Sequence, residues 1–353
     1  MAFFQRLFAR SADVAAASAA QRILPSPSFY KAVARGNERW AEQCVKKPVF
    51  CRGQKIHLLG VSPVNLPTGT HVSSILPKLQ EPLGWLCVDE AEEDAEWLNR
   101  YAQVLRQCPV GEPTANDGSD VEVFLAGVRT WSERVRHRLL DEGTPETWVE
   151  ALVSTGLRPA WDTIEAIELS LAQRVPVEFI KMGPAEENQR MEIRLAQTKE
   201  DAGKAPASIA QPPSPQTQPL PGSSTLEDSL RTLFHSVGIS SEDLRSIRTS
   251  DLPPFVETNL RNLVLGPTEL AKYGELVSGY LATAASLPSA SRDAKDRWRV
   301  AEARNFVRCE RLVERLQDIT EEFEATNGPD KAILAIIDRN SIHGVRKMIE
   351  ELE

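Results

Sequence analysis

The chain has 353 residues, of which 41% are hydrophobic and 26% charged, and its formal net charge is −9. This length allows one large domain or two ordinary ones around a sizeable core. The acidic balance argues against a general nucleic-acid binder, whose affinity comes from lysine and arginine on phosphates. The five cysteines are scattered and have no zinc spacing, so we expect buried or incidental thiols in a reducing compartment.

The first 24 residues, MAFFQRLFARSADVAAASAAQRIL, have the composition of an organelle transit peptide. Arg6, Arg10 and Arg22 stand against a single acid, Asp13, and alanine and serine are frequent. Transit peptides are amphipathic, contain arginine and serine, and are poor in acids. We therefore predict that residues 1–24 direct mitochondrial import, and the alternative is an ordinary solvated helix. No apolar run reaches the ~18 residues that a membrane-spanning helix needs.

Residues 25–198 are predicted to form the first part of an α/β domain. A helix in SPSFYKAVARGNERWAEQCVKK comes before a buried strand at 55–61, inside which we expect His57 to be a core residue with hydrogen-bond partners. A second strand, at 85–90, ends in acidic residues, and a helical insertion follows it. The sequence WDTIEAIELSLAQRVPVEFIKMGP then gives a helix and a strand at 175–182, which is the second half of a βαβ unit.

Residues 199–224 are predicted to be a disordered linker, because they contain six prolines among glutamine, serine and alanine. Residues 225–353 are predicted to be helical at first and then to complete the same domain with a strand at 332–337 and a helix. A polar break, DRNSIHG, separates that strand from the helix. The fold class is thus α/β, with a mostly parallel sheet, flanking helices and a helical insertion. Ligands of such sheets bind beyond the carboxyl ends of the strands.

The four strand ends, in their order along the chain, resemble those of the TraB family, also called the pheromone-shutdown or GumN-like family. KIHLLGVSPVNLPTGTHVSS stands where that family has LxGTAHVS, WLCVDEA is similar to its acidic second strand, and AILAIIDRNSIHGV to its closing VVAVVGAGHxxGI. The resemblance covers residues 55–98, roughly 160–190, and 297–353. It implies an α/β fold with a helical insertion, and some relatives are metal-dependent proteases.

The resemblance places two of the family's site positions near the first two strands. In an alignment without gaps from Gly60, Pro63 takes the place of the first histidine, and proline offers no side-chain ligand. An insertion of VSPVNLPT would instead place His71 there, and both alignments remain open. At the second strand, either Asp89 or Glu90 keeps the family's acid.

The other positions depart from the family pattern. Residues 181–182, Lys-Met, stand where relatives have an Asp-Arg pair, and Ala303 and Asn305 replace two acids of a late helix. Ser341 falls on the final histidine position. His343 lies two residues later, where we expect it to cap the closing helix or to face solvent.

We therefore expect a non-catalytic TraB-like pseudoenzyme with no cofactor, because one histidine and one carboxylate do not fix a metal ion. No phosphate loop, dinucleotide fingerprint or GxSxG elbow occurs in the chain. The predicted role is that of a structural subunit or assembly factor of a large mitochondrial complex, such as the mitoribosome or a respiratory or ATP-synthase assembly. The alternative is a residual metal-dependent hydrolase or protease, with His71, Asp89, Glu90 and His343 as candidate ligands.

The long charged helix before the closing strand alternates arginine with glutamate. This pattern is typical of an exposed, salt-bridged helix or of a surface that binds a protein partner. Contact with RNA phosphates is the alternative for its arginines. These are Arg297, Arg299, Arg304, Arg308, Arg311 and Arg315.

Overall fold

The fold is taken from a computed structural model. The structure describes residues 27–66, 75–92, 157–204, 226–241, 254–286, 292–327 and 331–352, with a few single residues between these ranges. The predicted transit segment, most of the helical insertion, linker residues 205–224 and His71 lie outside the described residues.

Seven strands occur in the described ranges. They are Val49–Cys51 (β1), Gln54–Val61 (β2), Val64–Asn65 (β3), Leu83–Val88 (β4), Arg158–Pro159 (β5), Val177–Phe179 (β6) and Ala332–Asp338 (β7). The helices of the same ranges are Pro27–Lys46 (α1), Trp161–Gln173 (α2), Pro184–Lys204 (α3), Leu226–Ser236 (α4), Pro254–Leu263 (α5), Pro267–Ser286 (α6), Arg292–Asn327 (α7) and Arg339–Leu352 (α8). A short 3₁₀ helix spans Leu76–Lys78. Among these helices, none combines the length and the apolar character needed to cross a membrane.

The main sheet has five strands in the order β1-β2-β7-β4-β6. Strands β2, β7, β4 and β6 run parallel to one another, and β1 is an antiparallel edge strand paired with β2. The last strand of the chain therefore lies in the middle of the sheet. This arrangement confirms the predicted α/β class and the mostly parallel sheet.

The four predicted strands are all present, within a few residues of their expected bounds. Parallel strands that are covered on both faces are nearly continuous apolar runs, and this makes them recognisable in a sequence. In β7, residues 332–337 are all buried. The sequence prediction missed three short strands, β1, β3 and β5, because two or three residues carry no usable periodicity.

Helix α3 was not predicted, and it corrects the start of the linker. The helix continues to Lys204, so the linker predicted at 199–224 does not begin at residue 199. The signals for this helix were Pro184 at its start and the acids Glu186 and Glu187 in its first turn. Its sequence is strongly polar, and its hydrophobic stripe is consequently weak.

The four cysteines in the described ranges, Cys44, Cys51, Cys87 and Cys309, are reduced and buried, as predicted. Burial raises the pKa of the Cys44 thiol to about 12 and that of Cys309 to about 11. Both thiols are therefore protonated at neutral pH and have little nucleophilic character.

Gly60 allows α1 and α8 to approach the carboxyl end of β2. A Cβ atom on this residue would lie 2.5 Å from the ring of Trp40 and 3.2 Å from the Cγ of Arg339. A side chain at this position would therefore displace both neighbours, because packed interiors have no spare volume.

Replacing Gly60 with alanine should lower the free energy of unfolding by about 1–3 kcal/mol, because the added methyl group overpacks the site. The measurement is urea denaturation followed by circular dichroism. The matched control is Gly274→Ala in α6, where an added Cβ meets nothing within 4 Å. That change should stabilise the protein by about 0.5–1 kcal/mol, since glycine is a poor helix former. Equal effects of the two substitutions would contradict the packing argument.

Candidate functional site

The carboxyl ends of the four parallel strands lie at one edge of the sheet. The register pairs Val61 with Asp338 and Val88 with both Ile336 and Phe179. The residues that follow these strands are therefore brought together, although they are far apart in the chain. This edge is where α/β proteins bind ligands.

A polar pocket occupies this edge, with a volume of about 50 Å³. Pockets for drug-sized ligands are roughly 300–1,000 Å³, so this one suits a few water molecules or a small ion. Its lining contains four acidic and three basic side chains, which are Asp89, Glu90, Lys181, Glu187, Arg308, Arg311 and Asp338. Ser62, Pro63, Thr163 and Ser341 also line it.

Lys181 provides the positive charge at the ends of β4 and β6. Its Nζ lies 3.5 Å from Oε2 of Glu90, whose side chain is 6% exposed. Burial alone would lower the pKa of Lys181, but the charges of Glu90 and Asp89 outweigh it and raise that pKa. Lys181 is therefore an ammonium ion held beside the two carboxylates that the sequence singled out.

Asp89 joins the ends of β4 and β7. Its Oδ2 accepts a hydrogen bond of 3.1 Å from the backbone N–H of Asp338, and its own N–H donates to the carbonyl of Ile336. Burial raises the pKa of Asp89, whereas Lys181 and the Asp338 N–H act in the opposite direction. Asp89 thus has a structural partner as well as a place in the pocket.

The polar break predicted between the closing strand and helix is not a loop. Asp338 is the last residue of β7, and Arg339 is the first residue of α8. The Oδ1 of Asp338 accepts hydrogen bonds from the N–H and the side-chain amide of Asn340. A side-chain acceptor at this position satisfies an N–H group that the first turn of a helix leaves unpaired.

Arg339 points away from the pocket and into the core, where it is 4% exposed. Its guanidinium donates to the carbonyl oxygens of Gly60 and Leu263 and to Oδ1 of Asn37, and it lies 5.6 Å from the ring centroid of Trp40. Burial lowers its pKa to about 10, so it is still charged at neutral pH. The side chain fastens α8 to α1 and β2.

The two candidate residues on α8 have different environments. Ser341, at the predicted histidine position, is 4% exposed and lines the pocket, and its carbonyl oxygen accepts from Sγ of Cys309. His343 is exposed, as predicted, and does not line the pocket. The structure therefore does not bring His343 together with Asp89 and Glu90, which corrects its inclusion among the alternative metal ligands.

Pro63 lies in the pocket lining, in a turn that is fixed on several sides. Its carbonyl oxygen accepts from the N–H of Ala160, the hydroxyl of Ser62 donates to Asn259, and Asn65 donates to the buried Asp162. Under the alignment without gaps, proline therefore stands at the pocket where a histidine would have been. The other candidate, His71, lies outside the described residues.

His57 is a buried core residue, as predicted. Its Nδ1 lies 2.9 Å from the carbonyl oxygen of Cys44, and its Nε2 is 3.6 Å from a carboxylate oxygen of Glu81. The carbonyl of Cys44 is the hydrogen-bond partner of Nδ1, and the Glu81 carboxylate faces Nε2 without a hydrogen bond, at the end of the sheet opposite the pocket, where Glu81 comes just before β4. His57 therefore has no part in the candidate site.

Two of the substituted positions lie on α7. Ala303 is buried and Asn305 is exposed. Neither side chain is acidic, so neither supplies a carboxylate to the pocket. Within the part of the chain that the structure describes, no group of three or more His, Cys, Asp or Glu side chains is arranged to hold a metal ion.

Sequence reasoning did not place Lys181, Arg308 and Glu187 at the pocket, although it did single out the polar break that contains Asp338. Lys181 was noted only as a replacement for a family residue, and Arg308 only as one of a row of arginines. The available signal was that Lys181 lies at the end of the strand predicted at 175–182, which places it at the carboxyl edge of the sheet. The pocket residues on α3 and α7 are brought there by the packing of these two helices, and no local sequence pattern reveals that packing.

The arginines considered for RNA contact are partly engaged within the protein. Arg304 and Arg308 lie 3.1 and 3.4 Å from Oε1 of Glu187, and Arg311 lies 3.2 Å from Oε1 of Glu186. Arg315 pairs with Asp318 on the same helix. Arg299 is exposed, and the side chain of Arg297 lies outside those described. RNA contact stays a prediction, and at three of these positions it would compete with glutamate.

Comparison with known proteins gives no family assignment. No family model, no curated protein and no solved structure matches this chain.

Replacing Lys181 with methionine should destabilise the protein at neutral pH, because Asp89 and Glu90 lose their nearest cation. The pKa of Asp89, which burial already raises, would then rise further above that of the unfolded chain. A carboxyl with a raised pKa in the folded state loses stability as pH increases through that pKa. We expect the free energy of unfolding to fall by about 1–3 kcal/mol at about pH 7 and by less at about pH 5. The range allows for the partial exposure of the ammonium group.

Urea denaturation at both pH values measures this effect. The control is Lys272→Met, which removes an exposed lysine on α6 and should change stability by less than about 0.5 kcal/mol at either pH. A loss in the Lys181 variant that is the same at both pH values would show that packing, and not charge, is responsible.

Proposed function

We propose that this protein is a non-catalytic TraB-like protein that serves as a structural subunit or assembly factor of a large mitochondrial complex. The observation that supports it best is the ion pair between Lys181 and Glu90, beside Asp89, at the carboxyl edge of the sheet. The chain supplies its own cation at the place where a metal-dependent relative would need a metal ion.

The rest of the pocket supports the same proposal. Arg308 and Arg311 add two further positive charges, so three basic side chains of the chain itself already face the four acids of the lining. The volume of about 50 Å³ leaves no room for a peptide substrate. Ser341 lines the pocket where the resemblance implies a histidine, as does Pro63 in the alignment without gaps, and neither provides an imidazole.

The proposed location rests on the composition of residues 1–24. The proposed role rests on an α/β fold that is retained although the expected metal-binding side chains are missing. A sheet whose central strand is buried over residues 332–337 can keep its fold when the site residues change. Such a protein can continue to act through its surface. The host complex in this proposal is a mitoribosome or a respiratory or ATP-synthase assembly.

Sedimentation of a gentle mitochondrial lysate tests this proposal. The full chain should be recovered from the mitochondrial fraction and should co-sediment with a large assembly, whereas a chain without residues 1–24 should remain in the cytosol. The control is a Lys347→Met variant, which changes an exposed side chain of α8 and should sediment as the wild type does. Migration of the full chain only as a free monomer would contradict the proposed role.

A residual metal-dependent hydrolase remains the second candidate, because Asp89 and Glu90 both lie in the pocket. This activity would require His71 to join the two acids, and Lys181 to give way to the metal ion. The pair of carboxylates is the specific observation in its favour. Hydrolysis would then depend on water activated by the bound metal.

Metal analysis of the purified full-length protein separates the two candidates. The pseudoenzyme proposal predicts less than about one tenth of an equivalent of transition metal, with no difference between the wild type and His71→Ala. The hydrolase predicts close to one equivalent, lost in His71→Ala and kept in the control His343→Ala, which changes an exposed histidine outside the pocket. Stoichiometric metal that depends on His71 would overturn the non-catalytic proposal.

A further inference from the structure

Helix α3 is joined to α7 mainly by ion pairs. Glu187 contacts both Arg304 and Arg308, and Glu186 contacts Arg311. One turn further along, Arg190 donates to both carboxylate oxygens of a single glutamate of α7, Glu314, at 3.1 and 2.9 Å. Acidic and basic residues of the two helices therefore pair with one another along residues 304–314 of α7 and residues 186–190 of α3.

The pairing between Arg190 and Glu314 is the best-defined part of this contact. A guanidinium that donates two parallel hydrogen bonds to one carboxylate is stronger and more specific than a single ion pair. The hydrogen bond to Glu314 raises the pKa of Arg190, and the hydrogen bond from Arg190 lowers the pKa of Glu314. Both groups are thus held in their charged forms.

Few apolar side chains of α3 are buried. Of the side chains described in this helix, residues 184–197, Met191 is buried, Leu195 is half-buried and Ile193 is 52% exposed. Arg194 lies over the ring of Phe306 at 4.0 Å, which is a second contact that involves a charge. The ion pairs between α3 and α7 are partly exposed, and salt weakens such pairs more than it weakens buried apolar contacts. The attachment of α3 should therefore depend on ionic strength.

The amino-terminal end of α3 also contributes to the wall of the pocket. Glu187 lines it together with Arg308 and Arg311, and Lys181 and Met182 lead from β6 into the helix. The ion pairs of Glu187 with Arg304 and Arg308 therefore hold part of this wall in place. Their loss would remove that part of the wall from the side of Lys181, Asp89 and Glu90.

We propose that α3 is an electrostatic strap, which closes the pocket at the carboxyl edge of the sheet and is released when its glutamate–arginine pairs are screened or removed. This proposal does not depend on the proposed function, since a strap can regulate access to a pocket in an enzyme or in a binding protein. Release would present Arg304, Arg308 and Arg311 to an incoming anion in place of the two glutamates.

Hydrogen–deuterium exchange of the full chain, followed by mass spectrometry, tests the strap. Raising NaCl from about 20 mM to about 500 mM should speed exchange of peptides from residues 185–198 about tenfold, and leave peptides from residues 332–337 unchanged. The variant Glu186→Gln/Glu187→Gln should exchange rapidly already at low salt. The matched control, Glu192→Gln, removes an exposed charge from the same helix and should behave as the wild type.

Acetylation of Lys181 provides the readout for the pocket. Its rate should rise with salt in the wild type and should be high at low salt in the double variant. Exchange of α3 that is independent of salt would overturn the proposal, as would faster exchange without faster acetylation of Lys181. Slow exchange in residues 332–337 of the double variant would show that it has not unfolded as a whole. If that variant does unfold, the salt titration of the wild type alone tests the proposal.

Discussion

The structure depends on how charge is balanced at the carboxyl end of β7. This strand is the centre of the sheet, and residues 332–337 are buried between β2 and β4. Asp338 and Arg339 follow at once, so a negative and a positive side chain must both be accommodated where the core ends. Charges can be placed there only if each finds partners, because an uncompensated buried charge is costly.

The two residues meet this requirement in opposite directions. Asp338 stays at the pocket, where its N–H donates to Asp89 and its side chain accepts from Asn340. Arg339 turns into the core and donates to oxygens of Gly60 and Asn37. Glycine at residue 60 leaves room for this arrangement, since an added Cβ would lie 2.5 Å from the ring of Trp40 and 3.2 Å from Cγ of Arg339. The contacts of Asp338 and Arg339 therefore position the closing helix, α8.

The same principle organises the rest of the pocket. Asp89 and Glu90 face Lys181, and Glu187 faces Arg304 and Arg308, so acids and bases are matched around a small volume. The basic partners come from the chain itself. A site built in this way does not require an added ion for its stability, and this is the physical basis for the view that its role is structural. It also makes the pocket dependent on α3, whose glutamates complete the set.

The sequence by itself determined the parts of the fold that local pattern specifies. Buried parallel strands are apolar runs, so β2, β4, β6 and β7 could be recognised from composition, and so could the long charged helix α7. The exposure of His343 and the burial of His57 also followed from their places in those elements. Asp89 and Glu90 were predicted at the edge of the sheet because they end the strand predicted at 85–90.

Only the tertiary structure decided which side chains meet. Lys181 and Glu90 are ninety-one positions apart in the numbering, and they become neighbours because β4 and β6 pair in parallel with Val88 opposite Phe179. The direction of Arg339 depends on the space left by Gly60, and the ion pairs of Arg304 and Arg308 depend on a helix whose own sequence is too polar to be recognised as packed. These are contacts between distant segments, and their energy does not appear in any local window of the sequence.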